Sequence, residues 1–265
     1  MTDTVTGQSR WPRWIALAGY VLAIGAPLVA LVMALATGAG WLGWETSLGS
    51  LRNLSYAAMG GIGLSLIALV MALFRRRWLR SLVPLAAILV GGAFVLLLSY
   101  NFGKATVVPP IHDVTTDLIS PPEFSTLSLR ADNREVVPAG VDPRLEPLDN
   151  ALRWRIYHSE AYGDIAPIVV PLSVPDTIAA AERLVAERGW ELAVADPASG
   201  RLEATETVSL YRFKDDVVLR VTPNPDGTGS VVNMRSVSRV GVSDLGVNAK
   251  RVRAFLRDLQ AATAG

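Results

Sequence analysis

Three uninterrupted apolar runs, residues 14–37, 56–74 and 81–100, fill most of the first hundred positions, and none contains a charged side chain. Each is close to or above the ~20 residues with which an α-helix crosses a bilayer core of roughly 30 Å. The chain is therefore expected to begin as a three-helix membrane anchor, residues 1–100. The first run, with Arg10 and Arg13 ahead of it and Ala34-Leu35-Ala36 near its end, has features of an export signal. It is longer than the apolar core of ~7–15 residues found in cleaved signals, so a retained helix is the preferred reading.

Arginines give an expected orientation. Cytoplasmic flanks of membrane helices are enriched in Lys and Arg. Arg75, Arg76, Arg77 and Arg80 crowd the second connection, whereas the first, residues 38–55, holds Arg52 and Glu45. The N-terminus and second connection are thus expected inside, and everything after the third run outside. Trp11, Trp14 and Trp78 would mark the inner interface, and Trp41, Trp44 and Tyr100 the outer one. No acid, Lys or His lies inside a run, and such residues usually mark an ion path. Gly60, Gly61, Gly63, Gly91 and Gly92 suit close helix packing instead.

Charge divides the chain. Residues 1–100 hold seven Arg against Asp3 and Glu45, while residues 101–265 hold 18 Lys and Arg against 22 Asp and Glu. An acidic exported part argues against nucleic-acid binding, which draws on basic surfaces. Without cysteine there is neither a disulfide framework nor a thiolate metal site. About 165 residues suffice for one independent core.

Residues 101–172 carry Pro109-Pro110, Pro121-Pro122, Pro138, Pro143, Pro147, Pro167 and Pro171. That density breaks helices and central strands and predicts an extended arm, with 153–157 and 165–172 as short strands or extended pieces. Residues 173–265 form the expected core. Ser173-Val174-Pro175-Asp176 resembles a capping box. Val174, Ile178, Ala181 and Val185 then recur at helical spacing up to Gly189. Strands are expected over 190–196, with Trp190, Leu192 and Val194 on one face, and over 201–210, with Leu202, Ala204, Glu206, Val208 and Leu210 inward and Arg201, Glu203, Thr205 and Thr207 outward. Two more follow over 217–222 and 230–239. Residues 248–262 close with a helix whose stripe is Val252, Phe255, Leu256 and Leu259. The expected fold is three membrane helices followed by an α+β domain, a four-stranded antiparallel sheet with two helices on one face.

Four places are candidates for chemistry. Asp215 and Asp216 adjoin at a strand start; paired carboxylates bind metals or share a proton, but strand neighbours point to opposite faces. Arg235 and Arg239 fall on one face, away from Val232 and Met234, and Arg251 is a candidate to join them from the sheet edge. Arginine forks suit carboxylates and phosphates, although an internal ion-pair lattice with Glu191, Glu203 and Arg220 explains them as well. Gly241 to Asn248 reads as a loop that caps the last helix through Ser243, Asp244 or Asn248, near Arg251. His112, Asp113 and Asp117, with His158 as the second histidine, make a thin metal constellation; Asx and Ser/Thr turns account for them better. Glu206, on the core side by strict alternation, needs a bulge or a polar partner such as Arg239 or Ser238. No catalytic motif is present, and no metal or cofactor is expected.

Several blocks resemble one family. They are Ile111-His112-Asp113-Val114-Thr115-Thr116-Asp117 with Pro121-Pro122, Gly200-Arg201-Leu202-Glu203-Ala204-Thr205, Phe213-Lys214-Asp215-Asp216-Val217, Arg235-Ser236-Val237-Ser238-Arg239-Val240-Gly241, and Ser243-Asp244-Leu245-Gly246-Val247-Asn248-Ala249. Together, over residues 105–262, they resemble the domain of unknown function 1499 (DUF1499) family, in the bacterial form with three preceding membrane helices. Some members have Asn-Cys where this chain has His112-Asp113, which speaks against a thiol role. The resemblance implies a membrane-associated envelope protein and no reaction. The expected protein is a multi-pass inner-membrane protein with a periplasmic binding or scaffold domain. Its candidate ligand-binding residues are Arg235, Arg239, Asp244, Asn248, Arg251, Asp215 and Asp216. Its partners would be the bilayer and an anionic lipid, an envelope polymer or a membrane protein. The alternative is an envelope enzyme, a hydrolase using Asp215, Asp216 or Glu206.

Overall fold

The computed structural model describes residues 11–140, 142–208 and 210–264. Asp3 and Arg10, used above for the charge count and the export-signal reading, and the side chain of Trp11, used as an interface marker, lie outside the described residues. The chain divides into two compact units, Met1–Gly103 and Lys104–Gly265.

Three helices carry the apolar runs: α1 (Trp11–Gly38), α2 (Trp44–Phe74) and α3 (Trp78–Val107). All three are long and apolar enough to cross a membrane. The first connection is shorter than expected, because residues 44–55 already belong to α2. Small residues set the spacing of α1 and α2. A Cβ on Gly61 would overlap the backbone of Ala23, and one on Gly19 would come within 2.7 Å of Ser65 Oγ.

The second unit is an antiparallel sheet with helices on one face. Its strands are β1 (Asp113–Thr115), β2 (Ile168–Val170), β3 (Glu191–Asp196), β4 (Arg201–Val208), β5 (Phe213–Pro223) and β6 (Ser230–Ser238). The sheet has six strands where four were expected. The order is β1-β6-β5-β4-β3, and β2 also pairs with β6. Both extra strands are three residues long, too short for a periodic signal. They dock end to end along the same side of β6, β1 opposite 235–237 and β2 opposite 230–232. Residues 165–172 thus do contain a short strand. Residues 153–157 do not: they lie in helix α4 (Asn150–Tyr162), capped by Asp149, which accepts from Leu152 N at 2.8 Å. No proline falls between Pro147 and Pro167, and the helix occupies that gap.

Helices α5 (Val174–Glu187) and α6 (Val247–Thr263) cover one face. Ser173 caps α5 by accepting from Asp176 N. Ile178, Ala181 and Val185 of α5 and Val252, Phe255, Leu256 and Leu259 of α6 bury against Leu202, Ala204, Val217, Leu219, Val221, Val232 and Met234. Each large side chain so buried contributes about 1.5–3 kcal/mol. Gly200 closes the β3–β4 turn at φ +67°, with its carbonyl accepting from Val221 N at 2.7 Å; a Cβ there would strike Val221 O. A bulge between Leu192 and Val194 places Leu192 opposite Ala204 and Val194 opposite Glu203. The two therefore face opposite sides, contrary to simple alternation.

The other face is not open to solvent, as alternation alone implied. Glu203 and Thr205 point away from the helices yet are 0% and 3% exposed. The described residues between Thr116 and Asp149 form neither helix nor strand, and this arm supplies the cover. Helix α4 lies along the β1 edge, where Trp154 Nε1 donates to Asp113 O and His158 Nε2 accepts from Thr115 N.

Candidate functional site

On the helix-covered face, polar side chains gather where β5 and β6 meet the start of α6. Arg251 Nη2 donates to Asp215 Oδ2 at 2.6 Å, and its Nε donates to Glu206. Arg251 Nη1 reaches Ser236 Oγ at 3.0 Å and Asn248 Oδ1. Asn248 Nδ2 donates to Ser238 Oγ and His112 O, both at 2.9 Å. Glu206 thus has the polar partner that its inward position requires, although the partner is Arg251. Asp244 ends the loop before α6 and accepts from Gly246 N at 2.8 Å and Asn248 N at 2.6 Å. Burial pushes its carboxyl above the usual range despite those two donors. The helix N-terminus is therefore already occupied by a carboxylate of the chain itself.

On the opposite face, Asp216 Oδ1 and Oδ2 accept from Arg239 Nη2 and Nε, both at 2.8 Å, and Thr205 Oγ1 joins them at 2.7 Å. Further along, Glu203 receives the arm. Ser125 N, Thr126 N and Leu127 N donate to its carboxylate at 2.6, 3.0 and 2.7 Å, and Ser125 Oγ at 2.8 Å. Burial pushes Glu203 up, but these backbone donors outweigh it and hold the carboxyl below its usual range. Asp117 meets Arg220 at 3.0 Å.

Asp113 is shared by two arginines. Arg235 Nε and Nη2 donate to Oδ1 and Oδ2 at 2.9 and 2.7 Å, while Arg134 Nε and Asn133 Nδ2 reach Oδ2 at 2.8 and 2.9 Å. Burial opposes ionisation of Asp113, yet Arg235, Arg134 and Asn133 overcome it and hold the carboxyl far below the usual range. The Arg134 guanidinium stacks 3.8 Å over the Trp154 ring. Beneath it, rings of Trp154, His158 and Tyr162 follow one another along α4. Burial lowers His158 and pushes Tyr162 up to about 12.

Two clefts open onto these networks. One, of 410 Å³, lies by Arg188, Trp190, Glu206, Lys250 and Arg251. The other, of 630 Å³, is formed by the arm itself and reaches the sheet at Arg235; Phe124, Ser128, Leu129, Arg130 and Arg134 are among its lining. Among the described residues no group of three or more His, Cys, Asp and Glu is placed to hold a metal. In particular, Asp113 is engaged by arginines and His158 by a backbone N–H.

The residues singled out in the sequence fall into two groups separated by the sheet. Asp215, Asn248, Arg251 and Asp244 lie on the helix side; Asp216, Arg235 and Arg239 lie on the arm side. Arg235 and Arg239 share a face, as strand period dictates, but Arg251 does not approach them, because α6 packs on the other side. Sequence reasoning did not find Arg130, Arg134 or the anchoring role of Glu203. Their partners are remote in sequence, and the arm shows no periodicity from which to read a side.

A family model described as "Protein of unknown function (DUF1499)" matches residues 113–259, more than half of the chain. No curated protein and no solved structure matches it.

Proposed function

The chain belongs to the DUF1499 family, and from that premise we propose that it is a membrane-tethered binding module whose soluble unit works outside the cytoplasm, at the inner membrane of a bacterial envelope. Three long apolar helices support the tether, and the arginines of residues 75–80 support the orientation. The observation that carries the binding role is the 630 Å³ pocket formed by the arm. A surface segment without regular structure is held there by buried anchors and still leaves room for a small molecule.

Hydrolysis has less support. Asp215 and Asp216 lie on opposite faces and each is neutralised by an arginine, so they form no dyad. The test is an inventory by mass spectrometry of compounds retained by the full chain in mild detergent, beside Ser128→Trp, which fills the pocket. A compound retained by the native chain and lost from a Ser128→Trp protein of unchanged melting temperature is the expected result. Identical inventories would sink the reading.

A further inference from the structure

Three arginines, Arg130, Arg134 and Arg235, line the arm pocket. Arg134 and Arg235 are both bound to the single carboxylate of Asp113, which leaves one positive charge over. Arg235 directs its remaining fork nitrogen to Pro122 O at 3.2 Å. Arg134 has no such outlet: its Nη2 is buried and lacks a hydrogen-bond partner among the described residues. Buried donors are nearly always satisfied; the Arg134 side chain as a whole is 26% exposed and lines the pocket. Arg134 also sits at φ +65°, an uncommon conformation for a residue other than Gly, and strain of this kind concentrates at functional sites. Its guanidinium is fixed on both sides, by the Trp154 ring and by Asp113. Arg130, 17% exposed at the side chain and paired with Asp132, stands in the same wall, and the lining acid Glu123 is exposed.

The other cleft differs in this respect. Arg188 there is paired with Asp258, and Arg251 with both Asp215 and Glu206. Its arginines are already answered by carboxylates.

We infer that the arm pocket is an oxyanion site that takes the phosphate or carboxylate end of a small ligand, with the ligand's apolar remainder against Phe124, Leu127 and Leu129. This deepens the binding role proposed above and rests on it. Arginine forks match such groups in shape and charge. The cavity volume of 630 Å³ is more than a bare phosphate fills, and Phe124, Leu127 and Leu129 in its lining offer contacts to a longer molecule.

The test titrates the full chain in nonionic detergent with inorganic phosphate, with acetate, and with short-chain phosphatidic acid below its micelle-forming concentration. At least one probe should bind, and more weakly as salt rises. Tighter binding of phosphatidic acid than of phosphate assigns a lipid headgroup, phosphate equal or tighter assigns a soluble phosphate, and preference for acetate assigns a carboxylate. Arg134→Gln should weaken binding roughly tenfold or more. Since Arg134 also supports the fold, Ser128→Glu and Ser128→Gln provide a second comparison away from the ion-pair network. Glu should abolish binding, and Gln should keep it, at equal melting temperatures. Failure of all three probes to bind, or equal binding by the Glu and Gln proteins, overturns the inference. If Ser128→Trp still releases a retained compound, and that compound is uncharged, the binding role stands while the oxyanion site falls.

Discussion

Asp215 and Asp216 are neighbours in β5, yet their carboxylates are held by different arginines on opposite faces of the sheet, Asp215 by Arg251 at 2.6 Å and Asp216 by Arg239 at 2.8 Å. The two pairs differ in access to water. Both members of the first are 3% exposed at the side chain, whereas Arg239 is 41% exposed. Removing one partner of a buried pair costs about 3–5 kcal/mol, while pairs in contact with water are worth about 1 kcal/mol or less. Arg251→Gln should therefore destabilise the α+β unit far more than Arg239→Gln. Urea denaturation of both proteins checks the order, and equal midpoints would contradict it.

Glu203 is predicted to anchor the arm. Glu203→Gln keeps the shape but removes the charge that three backbone N–H groups and a hydroxyl share. Hydrogen bonds to charged groups contribute about 1.5–3 kcal/mol each, so the arm should open locally before the sheet unfolds. Limited proteolysis should then cut within residues 120–131 faster than in the native chain, with β4 to β6 still intact. Unchanged cleavage there would mean that other contacts hold the arm.

The α4 histidine should make stability depend on mild acid. Burial lowers the folded-state pKa of His158 from the usual 6.5. Of the charged groups around it, Asp113 raises this pKa and Arg134 lowers it, while Asp164 and Tyr162 lie close by. The unfolded chain therefore binds more protons, and stability rises with pH. Stability is complete above about 6.5 and is lost as pH falls from 6.5 toward the lowered folded value. Asp113 and Glu203, both lowered, contribute stability that is lost at more acidic pH, below their usual carboxylate range. Thermal melts from pH 8 to 5 should show a decline that His158→Gln flattens, since glutamine can still accept from Thr115 N. An equal decline in both proteins would assign the titration elsewhere.

In the helical unit, Gly61→Val should separate α1 from α2, because the added carbons would occupy the backbone position of Ala23. Close backbone approach is what holds helices together in lipid. A cysteine pair placed across this contact should crosslink readily in the native protein and poorly in the variant.

Topology is directly testable. Alkaline phosphatase fused after Gly265 should be active, and a reporter that fluoresces only in the cytoplasm should be dark at the same position. The opposite pair of results would reverse the orientation.

Much of this architecture is legible in the chain itself. The three helices follow from long charge-free runs, α5 from its cap and spacing, α6 from its stripe, and β4 from alternation. Helix α4 is not legible, because its buried positions are Trp154, His158 and Tyr162, two of them polar, behind a run of prolines. Strands β1 and β2 are too short to have a period. For the site, strand period placed Arg235 and Arg239 on one side and Asp215 and Asp216 on two. The partners of the arm lay beyond it: Asp113 finds Arg235 across 122 residues, and Glu203 finds Ser125 across 78. Such contacts follow from tertiary closure and leave no local trace.

The two short strands on β6 have an evolutionary corollary. Everything between Thr115 and Ile168, the whole arm and α4 included, leaves the sheet opposite Arg235 and returns opposite Val232. Such an excursion is a cassette stapled at both ends to one strand. The entropy of closing it grows only slowly with its length, so its interior can be lengthened, shortened or rewritten while the sheet and its two covering helices keep their register.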